Sequence, residues 1–237
     1  MSKKTLKDPG QQISTPGSDP SPAGRDAAAS PPGLPRPVGD SKVTDERPPR
    51  SMFHLGLIEM GRIGEFAVRV VAAHVQTLIG IPVDILDPVE IPEEAFQHHR
   101  QQYDAGLVIK HLNERVNLPQ SRILGIVAAD LCSPILTYVY GEAEIGGKVA
   151  VVSTHRLSQN EDGSPTAKDR YYERLAKVAL HEVAHTFSLY HCDDPQCLMH
   201  FSPKMAHLDH ITLAFCDRCE FMIRENVLQL YRRPPVH

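Results

Sequence analysis

The sequence predicts an α/β (α+β) fold in which a mixed, twisted sheet is flanked by helices. Short apolar runs alternate along the chain with longer stretches that carry apolar residues at helical spacing. Some of the runs are apolar throughout, which is typical of strands buried on both faces of a sheet. With 237 residues, of which 41% are hydrophobic, the chain can form one sizeable core.

The first half of the predicted domain alternates strand and helix. Residues 53–58 form an apolar run that predicts a buried strand, and residues 64–78 carry apolar positions at helical spacing before Gly80. Residues 82–86 predict a short second strand. The stretch from 95 to about 116 predicts a second helix. Its apolar face includes Phe96, Tyr103, Leu107, Val108 and Leu112.

Three further strands are predicted after this helix. Residues 123–128 are apolar throughout, which favours a central position in the sheet. Residues 136–141 and 149–153 predict two more strands, joined through the glycine pair at 146 and 147. This order of elements implies a mixed sheet with helices packed on it.

Two helices complete the prediction. Ser164 is a suitable N-cap and Pro165 suits the first helical position, so we expect a helix from this pair to about Phe187. An irregular region follows, and a last helix is predicted over residues 218–230.

The first 50 residues have a different composition from the rest. They hold half of the 20 prolines and contain neither an aromatic residue nor a cysteine. Such a segment buries too little apolar surface to offset its ordering entropy, so residues 1–50 are predicted to be a disordered tail. Docking of the proline pairs onto a partner is the alternative. Residues 51–237 are predicted to form one domain.

Charge and composition exclude several classes of protein. The 25 basic residues against 29 acidic ones argue against nucleic-acid binding. No run reaches the roughly 18 apolar residues of a membrane helix, and no apolar run follows the N-terminal lysines as in a secretory signal. The odd number of cysteines, 5, fits metal ligation better than disulfides. We therefore expect a soluble, cytoplasmic monomer with reduced thiols and no nucleic-acid or membrane partner.

A metal-binding motif ends the third predicted helix. The run from 181 to 185 is HExxH, and residues four apart on a helix face the same side, so His181 and His185 can bind one zinc ion. Glu182 follows directly, where its carboxylate can reach a zinc-activated water. His191, six residues beyond His185, is the candidate third ligand of a catalytic site that keeps one position open.

Four cysteines follow the histidines with spacing C-x4-C-x18-C-x2-C. These residues are Cys192, Cys197, Cys216 and Cys219. Two close pairs separated by a loop are typical of a tetrahedral zinc site, and a site filled by four protein ligands is structural. Buried thiols or adventitious disulfides are the alternative. Cys132 stands apart and is interpreted as a free core or loop cysteine.

Taken together, these motifs resemble those of the archaemetzincins, whose pattern joins HExxHxxGxxH to C-x4-C-x-M and then x17-C-x-x-C. The matching segments, within a resemblance that covers roughly residues 53–232, are 181–192, 197–199, 216–219, 138–143 and 151–157. The resemblance implies a metzincin-like metallopeptidase fold with two Zn²⁺ ions, one catalytic and one structural. It also implies that Met199 forms a turn beneath the catalytic zinc, whereas from the residues alone Met199 is a core methionine.

Two positions depart from the family pattern. Ser188 stands where the family has Gly, at the point where the helix ends in a left-handed conformation, and a non-Gly residue there costs on the order of 1 kcal/mol. We expect a modest penalty that leaves His191 in place. The loop between Met199 and Cys216 is 16 residues long, one fewer than in the family, and a loop absorbs such a deletion.

The sequence is compatible with two functions. The first is a zinc-dependent metallopeptidase with Glu182 as general base and a peptide or protein substrate. The second is a zinc-stabilised binding protein with a catalytically silent metal centre.

In the metzincin arrangement an edge strand pairs with the peptide, and residues 136–141 are the candidate, with an ordinary sheet strand as the alternative. His200, His207 and His210 are interpreted as surface or hydrogen-bonded histidines, with extra metal ligands as the alternative.

Overall fold

A computed structural model of the chain describes residues 53–115 and 122–232. The predicted tail, residues 1–50, lies outside this part of the chain, so the tail and the domain boundary at residue 51 stay predictions. Among the described residues, no helix combines the length and apolar character needed to cross a membrane.

The elements alternate between strands and helices along the described chain. The strands are β1 Leu55–Met60, β2 Val83–Ile85, β3 Phe96–Gln97, β4 Gln102–Asp104, β5 Arg122–Val127, β6 Leu131–Cys132, β7 Gly141–Ala143 and β8 Val149–Ser153. The helices are α1 Glu65–Leu78, α2 Ala105–Arg115, α3 Lys168–Thr186, α4 Met205–His210 and α5 Asp217–Arg232. Short 3₁₀ turns occupy Glu93–Ala95 and Arg156–Ser158.

The main sheet has the strand order β2-β1-β5-β8-β7. Neighbouring strands are parallel except at one edge, where β7 runs antiparallel to β8. Every residue of β5 is buried, and the strand pairs with β1 and β8, which confirms its predicted central position. A smaller sheet of order β3-β4-β6 lies beside it. The mixed sheet with flanking helices confirms the predicted fold class.

Two apolar cores cover the two faces of the main sheet. One contains the buried faces of α1, α3 and α5, and the other contains the buried face of α2. Alternate residues of the central strands supply each core, as Leu124 does for the first and Ile123 for the second. Helix α3 therefore lies flat on the sheet, and its C-terminal half carries the HExxH motif across that surface.

The predicted helix from 95 to 116 begins ten residues later than expected. The structure has a hairpin of β3 and β4 before α2 starts at Ala105. Gln101 adopts a left-handed conformation with φ 55°, which no continuous helix accepts. Phe96 and Tyr103, placed on one helix face by the sequence pattern, pack across the hairpin with ring centroids 5.0 Å apart. The apolar residues of this short hairpin happen to fall at helical spacing, so the sequence pattern did not distinguish the hairpin from a helix.

The predicted start of the third helix at Ser164 and Pro165 is also wrong. Ser164 donates a hydrogen bond from its hydroxyl to the Asp162 carboxylate, and Pro165 forms an isolated bridge with Gln159. The loop is closed over the guanidinium of Arg174, a nearly inaccessible side chain that also binds Asp209 of α4 through two hydrogen bonds of 2.7 Å. Tertiary contacts therefore override the local capping signal, and α3 begins at Lys168.

The predicted strand 136–141 is displaced along the sequence. The edge strand is β7, Gly141–Ala143, while the preceding residues form an irregular segment with one bridge between Val139 and Leu131. The apolar side chain of Leu136 is 45% exposed, so the apolar run does not mark burial in a sheet. The ring of Tyr138 instead packs on Arg156, and its hydroxyl donates to the Pro203 carbonyl at 3.2 Å.

Candidate metal centres

Three histidines converge at the end of α3. The ligating nitrogens of His181, His185 and His191 all lie within 4.8 Å of one another. The Nε2 atoms of His181 and His185 are 3.0 Å apart, as expected for residues one turn apart on the same helix face. The structure therefore brings together all three histidines that the spacing indicated.

Backbone carbonyls fix the tautomers of the two helix histidines. His181 Nδ1 lies 2.9 Å from the Leu198 carbonyl and His185 Nδ1 lies 2.7 Å from the Leu189 carbonyl. Because a carbonyl only accepts, each Nδ1 carries the proton and each Nε2 presents a lone pair. Burial, with the neighbouring His185 as a second cause, lowers the pKa of His181 to about 3, and burial lowers the pKa of the other two. All three rings are neutral at pH 7, as metal ligands must be.

The chain reverses after α3 through a left-handed residue. Ser188 has φ 63°, and its N–H donates to the His185 carbonyl at 2.9 Å, while the N–H of Leu189 donates to the Ala184 carbonyl at 3.2 Å. These two bonds form a Schellman motif, which is the usual helix end at a glycine. The motif turns the chain so that His191 reaches the other histidines, and Ser188 adopts the strained conformation expected for it.

We expect Ser188→Gly to stabilise the protein by about 0.5–1 kcal/mol, because Gly adopts a positive φ without steric strain. Part of the gain is offset by the greater entropy of Gly in the unfolded chain. Urea denaturation of the zinc-loaded protein measures the difference. Ser188→Ala is the control: it keeps the Cβ strain and should give no gain. Equal stabilisation by both substitutions would contradict this explanation.

Glu182 lies beside the three histidines, beneath the edge strand of the sheet. Its side chain is 7% exposed, and burial, followed by the negative charge of Glu142, raises its pKa to about 8 in the metal-free protein. The backbone of Gly141 in β7 touches the carboxylate directly: a Cβ on Gly141 would lie 2.6 Å from Glu182 Cγ and 2.9 Å from its Oε1. The absence of a side chain at Gly141 therefore sets the position of the carboxylate.

Gly141→Ala is expected to lower the rate of peptide cleavage by about 100-fold while both metal sites stay filled. The new methyl group would also lie 2.8 Å from the Val151 carbonyl oxygen of β8, so both the strand and Glu182 must shift. A misplacement of about 1 Å has this order of effect on a catalytic group. Cleavage of a peptide library and metal content are measured on the same samples. A variant with the wild-type rate would show that the contact between Gly141 and Glu182 does not position the carboxylate.

The four cysteines form a second cluster directly after His191. The Sγ atoms of Cys192, Cys197, Cys216 and Cys219 lie within 4.8 Å of one another, and none of these residues is disulfide-bonded. Backbone N–H groups of Met199 and Cys216 point at Cys197 Sγ, at 3.4 and 3.3 Å, and the Arg218 guanidinium lies 3.5 Å from Cys192 Sγ. Donors of this kind stabilise thiolates, which are the form that binds metal.

One short segment connects the two clusters. Met199 is fully buried; its N–H donates to Cys197 Sγ, and its carbonyl accepts from the N–H of Cys192 at 2.8 Å. The preceding carbonyl, of Leu198, is the acceptor that orients His181. The cysteine cluster therefore fixes the segment that holds a histidine of the other cluster in its tautomer.

Both donor sets fit zinc chemically. Imidazole nitrogen and thiolate sulfur are the ligands that Zn²⁺ prefers, and four cysteines match a closed site, whereas three histidines leave a position open. Burial raises the pKa of the Cys197 and Cys219 thiols, so four such close thiols do not all ionise without a cation between them.

A cleft of about 530 Å³ opens beside the three histidines. Its lining includes Lys177, which sequence reasoning did not select, and Tyr138 and Glu142, which lie in the family-like segment 138–143 but were given no individual role. No local motif indicates these roles, because the cleft forms only when the segment before β7 meets the loop that follows Met199. His200 also lines the cleft, where Nδ1 binds the Cys192 carbonyl at 3.0 Å.

The remaining candidates lie away from the histidine cluster. His207 and His210 are exposed on α4, and His210 Nδ1 binds the Ala206 carbonyl of its own helix. Cys132 is buried in β6, as a core cysteine.

Comparison with known proteins identifies the family. The model of peptidase family M54 matches residues 62–225. The chain belongs to this family. The archaemetzincin of Natronomonas pharaonis is 32% identical over 174 residues, which cover 72% of this chain and 99% of that protein. The archaemetzincin of Haloquadratum walsbyi is 33% identical over 173 residues, which cover 70% of this chain and 99% of that protein. The resemblance to archaemetzincins is thereby confirmed.

Solved structures share the fold. The crystal structure of archaemetzincin from Methanopyrus kandleri aligns with a TM-score of 0.68 at 32% identity, covering 77% of this chain and 99% of that one. A zinc-dependent peptidase from Methanocorpusculum labreanum aligns with a TM-score of 0.65 at 28% identity, covering 71% and 99%. This M54 chain is a zinc-dependent metallopeptidase, as the sequence predicted.

Proposed function

We propose that this metallopeptidase hydrolyses peptide bonds at the histidine cluster, with His181, His185 and His191 as ligands of a catalytic zinc and Glu182 as general base. The observation that carries the proposal is the convergence of three neutral imidazoles next to a buried carboxylate at one side of an open cleft. A purely structural site has no use for that carboxylate. Its presence argues for hydrolysis and against a silent centre.

The residues of this chain divide the chemistry between them. Zinc, when bound, acts as a Lewis acid and lowers the pKa of water from roughly 15.7 to about 7. Glu182 takes the proton of the attacking water and then transfers it to the departing amine. Gly141 holds that carboxylate in place through its backbone, and the Leu198 and Leu189 carbonyls hold the imidazoles in the ligating tautomer.

An extended peptide can pair with the edge of the main sheet. Strand β7 is the last strand in the order and bonds to β8 on one side only. Its residues, Gly141–Ala143, also line the cleft, so a peptide added to this edge passes over Glu182. The docking strand proposed from the structure is thus β7 and not residues 136–141.

We further propose a second, structural zinc at the cysteine cluster, which gives two zinc ions per chain. All seven donor residues come from one chain, so a monomer contains both centres. Four thiolate ligands require reduced cysteines, which favours a cytoplasmic location.

Zinc content per folded chain tests the assignment of the catalytic site. We expect two zinc ions in the wild type after exhaustive dialysis and one in His185→Ala, because the variant loses a ligand of one site only. Elemental analysis provides the count. His210→Ala, which removes an exposed histidine of α4, is the control and should keep two. One zinc in the wild type and in His185→Ala alike would refute the proposed catalytic site.

A further inference from the structure

A buried lysine lies on the cleft-facing side of α3. Lys177 precedes His181 by four residues, so the two side chains are neighbours on the same helix face, one turn apart. Lys177 is 1% exposed and nevertheless lines the cleft. A buried cation at this depth is costly unless its donors are used. None of the hydrolytic steps proposed above uses it.

The protein supplies two acceptors for the three N–H groups of this ammonium. Lys177 Nζ lies 3.2 Å from the Leu208 carbonyl and 2.6 Å from Glu173 Oε1. The side chain of Glu173 is 52% exposed and does not line the cleft, so it contacts the ammonium from the solvent side. The nearby carboxylate of Asp209 is held by Arg174. Within the described part of the chain, the third N–H has no hydrogen-bond acceptor.

The cleft that Lys177 lines is a pocket with largely apolar walls. Val178, Leu208 and Ile211 line it, and so does Lys204, which is exposed. The acidic residues that line the cleft, Glu142 and Glu182, belong to β7 and to the position after His181. Of the two lysines that line the cleft, Lys177 is the buried one.

We propose that Lys177 makes this pocket selective for a substrate residue that carries a carboxylate. The inference rests on the proposed function, since it concerns the residue beside the scissile bond. The carboxylate of the ligand accepts a hydrogen bond from the third N–H of the ammonium. The methylene groups of the same ligand residue pack on the apolar walls. A site with a buried donor rejects analogues that lack the acceptor, because the donor is then left unpaired in a dry pocket. The carboxylate is that of an acidic side chain or that of a peptide C-terminus.

Calorimetric titration of the zinc-loaded full chain with short peptide hydroxamates tests the proposal. The hydroxamate chelates zinc, and the next residue is Glu, Gln or Leu with an amidated terminus, or Leu with a free terminal carboxylate. We expect at least one carboxylate ligand to bind ten-fold or more tightly than amidated Leu. The Glu and free-terminus ligands distinguish the two sources. Lys177→Met should abolish the preference and leave the affinity for amidated Leu unchanged or improved.

A second variant keeps the test valid if Lys177→Met does not fold. Glu173→Gln removes the competing carboxylate from the solvent side, and we expect it to increase the preference for carboxylate ligands. Equal affinities for all four ligands, or a preference that persists in Lys177→Met, overturn the role of Lys177 and leave the peptidase site standing. Failure of every hydroxamate to bind the zinc-loaded protein overturns the proposed catalytic centre as well.

Discussion

Glu182→Ala is expected to keep both zinc ions and to lower peptide hydrolysis by about 10²–10⁴-fold, the usual contribution of a general base. The carboxylate is not among the seven donor residues, so its removal leaves both donor sets intact. It is the buried acid whose Cγ and Oε1 lie against Gly141. Initial rates on a peptide library, together with metal content, measure the effect.

A surface substitution provides the control for Glu182→Ala. Glu114→Ala removes an exposed carboxylate of α2, on the opposite face of the main sheet from α3, and it should change neither the rate nor the metal content. Unchanged cleavage by Glu182→Ala would show that another group accepts the proton of water, and the proposed mechanism would then be wrong. A loss of one zinc ion would instead make Glu182 a ligand.

The second large effect is expected at the cysteine cluster. Cys216→Ser removes one of four thiolates, and we expect the free energy of unfolding to fall by about 3–5 kcal/mol, a fraction of the roughly 10–16 kcal/mol that structural zinc contributes in small domains. The catalytic site should respond as well. Segment 197–199 loses its anchor, and with it the Leu198 carbonyl that orients His181, which should weaken zinc binding at the histidines by about 10–100-fold.

Cys132→Ser is the matched control, because it also removes a buried thiol but lies in β6, outside the cluster. We expect the free energy of unfolding to fall by about 1 kcal/mol, the usual size for a point substitution, and the variant to keep two zinc ions. Chelator titration and thermal unfolding separate the two variants. If Cys216→Ser has the stability of Cys132→Ser and the same zinc content, the cysteine cluster is not a metal site.

Much of the fold could be predicted because the signals are local. The continuous apolar runs of β5 and β8 are typical of buried parallel strands. The helical spacing of apolar residues in α1 and α5 predicted the ends of both helices to within a few residues. The seven candidate donors were also found from spacing alone, since both clusters are built from residues close together in the sequence. The structure brings these donors together within each cluster.

The rest depends on contacts between distant segments. Phe96 packs on Tyr103 only when the hairpin forms, and α3 starts late because Arg174 draws the preceding loop around itself. The roles of Gly141 and Lys177 arise where the edge strand and the α4 region meet α3. A single glycine or lysine gives no pattern in the sequence, so Lys177 was missed, and the role of Gly141 was missed although the residue lies in the family-like segment 138–143.

The close approach of Gly141 to Glu182 also limits how this gene can change in length. Successive residues of a strand face opposite sides, so inserting or deleting one residue just before β7 would bring Tyr140 or Glu142 over the general base. Either side chain is far larger than the space that a Cβ already overfills. Insertions and deletions within 140–143 should therefore be selected against, even when every residue type is retained.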